Sequence, residues 1–292
     1  MTADEIAARL IAASPTGGPH IAANLMPAIR LATWPIDEKK LAVGSSKYGG
    51  GADLPKGVPW PSWTDRQGRR RPMIFFAQID LAVAAQAAPA ALDLPTSGLL
   101  SFFADYAVDG VDGIIGLYSY EQEGVVVIHS QAGTDLQRQK SPVKPQPSAA
   151  LAMVPMWSWS HVLPDDVDLP DAEFNALDAL EQTYNQELRS VAGQWHVNGL
   201  HQLGGHANFI QHPVEEEVVQ AVNGCFDAGG FDRARWEASK DQVKEWRLVL
   251  QIDSDSGLDL MWGDAGMLYW AARRADAAAG RWNRPAFNFQ CG

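Results

Sequence analysis

Asp253, Asp255, Asp259 and Asp264 crowd into one short turn region that also contains Gly257, Gly263 and Gly266. Hard divalent cations take several oxygen ligands, and such a turn can gather carboxylates and backbone carbonyls. Asp253, Asp255 and Asp264 are therefore the candidate metal ligands, and a divalent cation is the one cofactor this region suits; no other cofactor is expected. The twelve-position EF-hand order and its closing bidentate glutamate are absent. Aspartates beside strands also accept backbone N–H groups and fix tight turns, which is the simpler reading. A glycosidase pair needs a set carboxylate separation and opposed protonation states, neither of which spacing along a chain defines.

A second polar cluster holds His201, His206 and His212 with Gln202, Asn208 and Gln211. The spacing matches neither the i,i+4 zincin pair nor a zinc finger, so these side chains are expected to hydrogen-bond around a glycine loop. His206 is the candidate general base if the chain is an enzyme. Cys225 and Cys291 lack a recognisable activating partner, and there is no Gly-x-Ser-x-Gly elbow. Both thiols are read as inert.

These residues depend on the elements around them. Leu248 to Ile252 and Met267 to Trp270 are apolar runs flanking the acidic turn, hence strand, turn, strand. Met73 to Leu81, Gly98 to Phe103 and Leu151 to Ser160 read as further strands, and Gly116 to Tyr120 with Val125 to His129 as a hairpin. Helical spacing predicts Asp4 to Ala13, Asp171 to Val191 and Pro213 to Val222, with a partly helical Phe231 to Val243. Ile21 to Leu31 reads as a helix divided by Pro27, Leu41 to Val43 as a brief strand, and Gln137 to Pro147 as a loop or edge connection. Arg69, Arg70 and Arg71 beside Gly68 read as a hairpin or loop tip.

Two glycine loops, at Gly49-Gly50-Gly51 and Gly204-Gly205, each precede a strand ending Gln-Ile-Asp: Gln78-Ile79-Asp80 and Gln251-Ile252-Asp253. The Lys-Ser/Thr ending of a phosphate-binding loop is missing. The repetition predicts one domain, 1–292, with internal repeats at about 41–130 and 199–292 joined by 131–198. The expected fold is mainly β, in the α+β sense: a pseudo-duplicated antiparallel or mixed sheet body with peripheral helices.

Composition sets the outer limits. A 292-residue chain with 46% hydrophobic and 20% charged residues can bury a large core. A formal net charge of -12 argues against a nucleic-acid partner. The acidic amino terminus and the lack of a long apolar run predict no membrane association, and two cysteines fit a reducing, cytoplasmic setting.

The set Lys47-Tyr48-Gly49-Gly50, Leu54-Pro55, Trp60-Pro61, Phe76-Ala77-Gln78-Ile79-Asp80, Gly205, Gln251-Ile252-Asp253-Ser254-Asp255, Met261-Trp262-Gly263-Asp264-Ala265-Gly266 and Gln290-Cys291 resembles the YwqG-like family of bacterial proteins. The resemblance implies a compact, mainly β fold with peripheral helices; it implies no reaction, substrate or catalytic set. Tyr48 and the added Gly51 stand where the family pattern runs closer to Lys-Leu-Gly-Gly. From the residues themselves, the functional expectation is a protein- or peptide-binding groove, with Tyr48, Trp60, Trp63, Trp157, Trp159 and Asn208 as candidate binding residues. A metal-assisted hydrolase using Asp253, Asp255, Asp264 and His206 is the alternative, and a structural or regulatory module without catalysis the third.

Overall fold

A computed structural model describes residues 2–65, 67–88, 92–105, 122–143, 149–161, 168–193, 199–227, 230–255 and 260–292. Asp259, Gly257 and the expected strand at Gly116 to Tyr120 lie outside them. The chain begins with α1 (Ala3–Ala13), started by a Thr2 and Glu5 capping box, and α2 (Gly18–Ala23). The first half continues with β1 (Met26–Pro35), β2 (Lys47–Tyr48), β3 (Ala52–Pro55), β4 (Ser62–Thr64), β5 (Arg70–Pro72), β6 (Ile74–Asp80), α3 (Leu81–Ala87), β7 (Leu99–Ala104), β8 (Val125–Ser130) and β9 (Leu136–Gln139). The second half holds β10 (Leu151–Ser160), α4 (Asp171–Ala192), β11 (Gln202–Leu203), α5 (Val214–Val222), β12 (Phe226–Asp227), β13 (Gly230–Phe231), α6 (Arg233–Ser239), β14 (Trp246–Asp253), β15 (Met267–Arg273), α7 (Arg274–Ala278) and β16 (Ala286–Gln290).

Ten strands form one sheet in the order β16-β15-β14-β11-β1-β10-β2-β6-β7-β8, and its pairings are antiparallel. The sheet curls until it nearly closes into a barrel. Gln122, just before edge strand β8, donates from Nε2 to the Phe287 carbonyl and accepts the Phe287 N–H at Oε1, so its side chain pairs with β16 at the opposite edge. Aromatic rings from both halves meet inside: Phe76, Phe102 and Phe287 pack on Trp270 in T-shaped pairs. Strand alternation separates two cores. Leu268 and Trp270 face the interior cluster, while Met267 and Tyr269 face Val214, Val218 and Val219 of α5.

Several expectations change. Ile21 to Leu31 is not a divided helix: α2 ends at Ala23 and β1 starts at Met26. A residue before proline avoids the helical region, and β1 then gains a ten-residue ladder with β10, from Met26 opposite Ser160 to Pro35 opposite Leu151. Leu41 to Val43 is not a strand, and Leu136–Gln139 is one, paired with β3. Val125–Ser130 pairs with β7. The arginine run belongs to the β4/β5 hairpin, where Arg69 binds Asp65 and Arg71 binds Asp105.

The two glycine loops are held identically. Lys47 lies opposite Gln78, and Gln202 opposite Gln251. Gln78 Nε2 donates to the Ser45 carbonyl and its Oε1 accepts the Asp53 N–H; Gln251 Nε2 donates to the Leu200 carbonyl and its Oε1 accepts the Asn208 N–H. Gly49 N–H bonds the Phe76 carbonyl, and Gly204 N–H the Val249 carbonyl. Gly49, Gly50, Gly204 and Gly205 take φ of 67°, 71°, 66° and 74°, the left-handed region that favours glycine. The register of β6 against β7 shifts between Phe75 and Ala77, and that of β14 against β15 between Leu248 and Leu250.

Candidate functional site

Near the middle of β1, the run Ala28-Ile29-Arg30-Leu31-Ala32 places a guanidinium among buried aliphatic neighbours. Arg30 sits opposite Met156 of β10 and Gln202 of β11, at the centre of the sheet. It lines a cavity of about 100 Å³ between that sheet and two covering helices. The covers are α1, through Ile6, Arg9 and Leu10, and α4, through Leu177, Leu180, Glu181, Tyr184 and Asn185. Trp159, Ser160 and His161 line it at the end of β10, and His206 and Asn208 from the second glycine loop.

The cover is thinly attached. Leu188, 9% exposed, is the one described α4 residue that is buried. The Tyr184 hydroxyl bonds the Ser158 hydroxyl and accepts the Trp159 N–H, Arg9 pairs with Glu187 at 3.2 Å, and Glu173 caps the α1 to α2 turn through Ser14 and Thr16. The loop side is firmer: Ser160 Oγ accepts the His206 N–H, and a side chain at Gly205 would strike that same oxygen.

Arg30 is 7% exposed, and its described side-chain hydrogen bonding is one long contact, 3.5 Å from Nη2 to Asn185 Oδ1. Its Nε–H is buried with no partner among the described residues, and so is the indole N–H of Trp159. Burial pulls the guanidinium below its usual range, and Glu181 and Asp253 oppose that through space. Burial also lowers His161 and His206, so both imidazoles are neutral at pH 7; His206 Nε2 lies 2.7 Å from the Asn24 carbonyl and therefore carries the ring proton. The cavity thus combines a buried cation, the charges of Arg9 and Glu181, neutral polar groups and an apolar wall from Trp159, Leu177 and Leu180.

Of the residues expected from sequence, Trp159, Asn208 and His206 meet at this cavity. Trp157 stacks edge-on against Trp159 but lines a separate groove on the Leu188 side of α4. Tyr48 is fully buried in the interior core, which removes it from any surface groove. Trp60 and Trp63 pack with Phe75 and Phe103, their indole N–H groups bonded to the Met73 carbonyl and to Asp105. They do not join the other two tryptophans.

The aspartates also part company. Asp253 accepts the Leu200 N–H at 2.7 Å, and burial pushes its carboxyl up. His201 Nδ1 accepts the Asp253 N–H, which leaves its proton on Nε2, 3.7 Å from Asp255 Oδ2 in a buried pair. Asp264 is exposed, and its carbonyl takes the Gly292 N–H. No three His, Cys, Asp or Glu side chains among the described residues gather as a metal site. Asp253, Asp255 and Asp264 do not line the cavity that holds His206.

Sequence reasoning missed Arg30, His161, Glu181, Tyr184 and Asn185. Arg30 was hidden by the helical reading of its segment. Within a strand, an arginine between Ile29 and Leu31 in an apolar run is itself the signal.

Fold and site together define a mixed α/β protein with a near-closed antiparallel sheet and peripheral helices over a partly open cavity of mixed polar and apolar lining. The chain belongs to the family described as domain of unknown function DUF1963, whose model matches residues 46–291. That is the family resembled by the glycine loops and Gln-Ile-Asp strands. No curated protein matches the chain. No helix among the described residues is long and apolar enough to cross a membrane.

Proposed function

We propose that this protein is a binding module whose site is the cavity beneath α1 and α4. One observation carries this reading: Arg30 and Trp159 line the same cavity, and each holds a buried N–H donor with no partner among the described residues. A buried donor without a partner costs stability, so a site that keeps two of them together is arranged for an acceptor arriving from outside. Trp159, Leu177 and Leu180 offer apolar surface beside those donors, which suits a ligand with one polar end and one apolar end. The peptide-binding expectation narrows accordingly to a short segment or a small molecule.

The test is a ligand-observed NMR screen of small fragments against wild type and Leu177→Trp, a substitution that fills the cavity from α4. Fragments bound by wild type and lost in a folded Leu177→Trp protein support the reading. Equal binding by both proteins moves the site elsewhere and ends it.

We also infer an internal duplication, supported by the matched glutamine and glycine hydrogen bonds of the two loops and by the matched register shifts at Phe75/Ala77 and Leu248/Leu250. In this reading the halves form one domain, with β1 and β10 adjacent at its centre. A cytoplasmic setting belongs to the same proposal and draws support from two free thiols, Cys225 and Cys291.

A further inference from the structure

We propose that the cavity ligand carries a single carboxylate, bound by Arg30 and the Trp159 indole, with its apolar portion against Leu177 and Leu180. This rests on the cavity being the binding site and adds the chemical class of what enters it. The available donors match that class: the Arg30 Nε–H and Trp159 Nε1–H are both buried and unpaired among the described residues. Asn185 and Asn208 add amide groups whose nitrogens have no described hydrogen bond. Guanidinium and carboxylate are complementary in shape and form strong charge-assisted hydrogen bonds.

Comparison of the two glycine loops shows what is missing at Arg30. At the first loop Lys47 is wholly buried, and the carboxylates of Glu38 and Asp53 lie 2.7 and 3.7 Å from its ammonium. Asp53 also takes the Arg138 guanidinium at 2.8 Å, so every cation there has an internal counter-ion. At the second loop the residue whose N–H meets the strand glutamine is Asn208 rather than an aspartate, and Gln202 stands in the place of Lys47. The cation, Arg30, comes from the neighbouring strand, and no described carboxylate pairs with it. One half supplies its own carboxylate, and the other leaves the position for a ligand.

Charge selects the kind of acid. The cavity is lined by the buried Arg30 guanidinium, by Arg9, which is paired with Glu187, by two neutral imidazoles and by the Glu181 carboxylate. Arg30 and Glu181 are opposite in sign, so a monoanion adds one uncompensated negative charge to the cavity and a phosphate dianion two, which favours the monoanion in a chain already at -12. The carboxylate has two sources, a free small acid or the end of a peptide, and the same groups would hold either.

The experiment uses the full chain and four probes: N-acetyl-leucine, N-acetyl-leucinamide, and a leucine-terminated pentapeptide with a free or an amidated carboxyl end. Affinity is measured by calorimetry, and the Arg30 side-chain Nε–H resonance is followed by NMR. A free carboxylate should bind at least tenfold more tightly than its amide and move the Arg30 resonance, and Arg30→Gln should erase the difference. Arg30→Gln should melt at or above the wild-type temperature, because it removes a buried charge that no described carboxylate pairs with. Tighter binding of the peptide acid than of N-acetyl-leucine identifies a chain end, and the reverse a free small acid.

Acid and amide binding alike, or unchanged acid affinity in Arg30→Gln, overturns the carboxylate inference. The cavity reading survives that failure if neutral probes still bind wild type and are lost in Leu177→Trp. If no probe binds in the cavity of wild type, both fail.

Discussion

Two kinds of titratable group give the molecule its expected response to acid. His161 and His206 are lowered by burial, against the pull of Glu181 on the first and of the Asn24 carbonyl on the second. A group whose folded value lies below its unfolded one favours folding above the unfolded value, and that benefit disappears as pH falls through the folded value. The histidine contribution is therefore complete above about 6.5 and declines below it. A second decline begins near the ordinary carboxylate range: burial works to raise Asp53, but the Arg138 hydrogen bond, the Gly44 and Gln78 hydrogen bonds and the Lys47 charge hold it low. Melting temperatures from pH 8 to 3 should fall in two stages. The upper stage should flatten in a His161→Gln, His206→Gln double variant, and an unchanged upper stage in that protein would assign it to other groups.

At the scale of elements, one glutamine per half holds each glycine loop onto the strand behind it. Gln78 and Gln251 are wholly buried, and each bonds a loop N–H and a loop carbonyl. Replacing either by alanine strands both backbone groups, at a cost of about 2–4 kcal/mol by denaturant unfolding. Gln251→Ala should also weaken ligand binding, since it frees Asn208 at the cavity, whereas Gln78→Ala should leave binding unchanged in the folded protein. The α4 cover behaves differently because so little of it is buried. Tyr184→Phe removes the hydroxyl that ties it to Ser158 and Trp159, and amide exchange in α4 should accelerate while β6 and β14 keep their protection.

These elements show what a sequence reveals. The α1 capping box, the α4 periodicity and the apolar runs of β6, β7, β10 and β14 announce themselves because the cause of each structure is local. The paired Gln-Ile-Asp strands were legible for the same reason. β1 was misread because the partner that makes it a strand, β10, lies far along the chain, and Pro27 within an apolar run resembles a kinked helix. With β1 went Arg30. The tryptophans were legible as a type but not as a place, since only folding sends Trp60 and Trp63 to one core and Trp159 to the cavity wall.

For the whole molecule, the order of the sheet puts the centre of the proposed duplication and the binding cavity at the same strands. β1 and β10 are paired along their full length, and both reach the cavity, β1 through Arg30 and β10 through Trp159 and Ser160. Separated halves, 1–148 and 149–292, would each lose the strand partner that completes its inner edge. Expressed singly, neither should give a cooperative melting transition, and mixed together they should recover one; an independently stable half would overturn the single-domain reading.

The Gln122 clasp on Phe287 has a consequence outside the molecule. An open ten-stranded sheet would end in two rims of unanswered amides and carbonyls, each able to recruit a neighbouring chain and seed growth without limit. By imitating a backbone with its side-chain amide, Gln122 answers one amide and one carbonyl of the β16 rim. Gln122→Ala should therefore reveal itself less in the melting temperature than in concentration-dependent light scattering on gentle heating, as chains that once closed on themselves begin to close on one another.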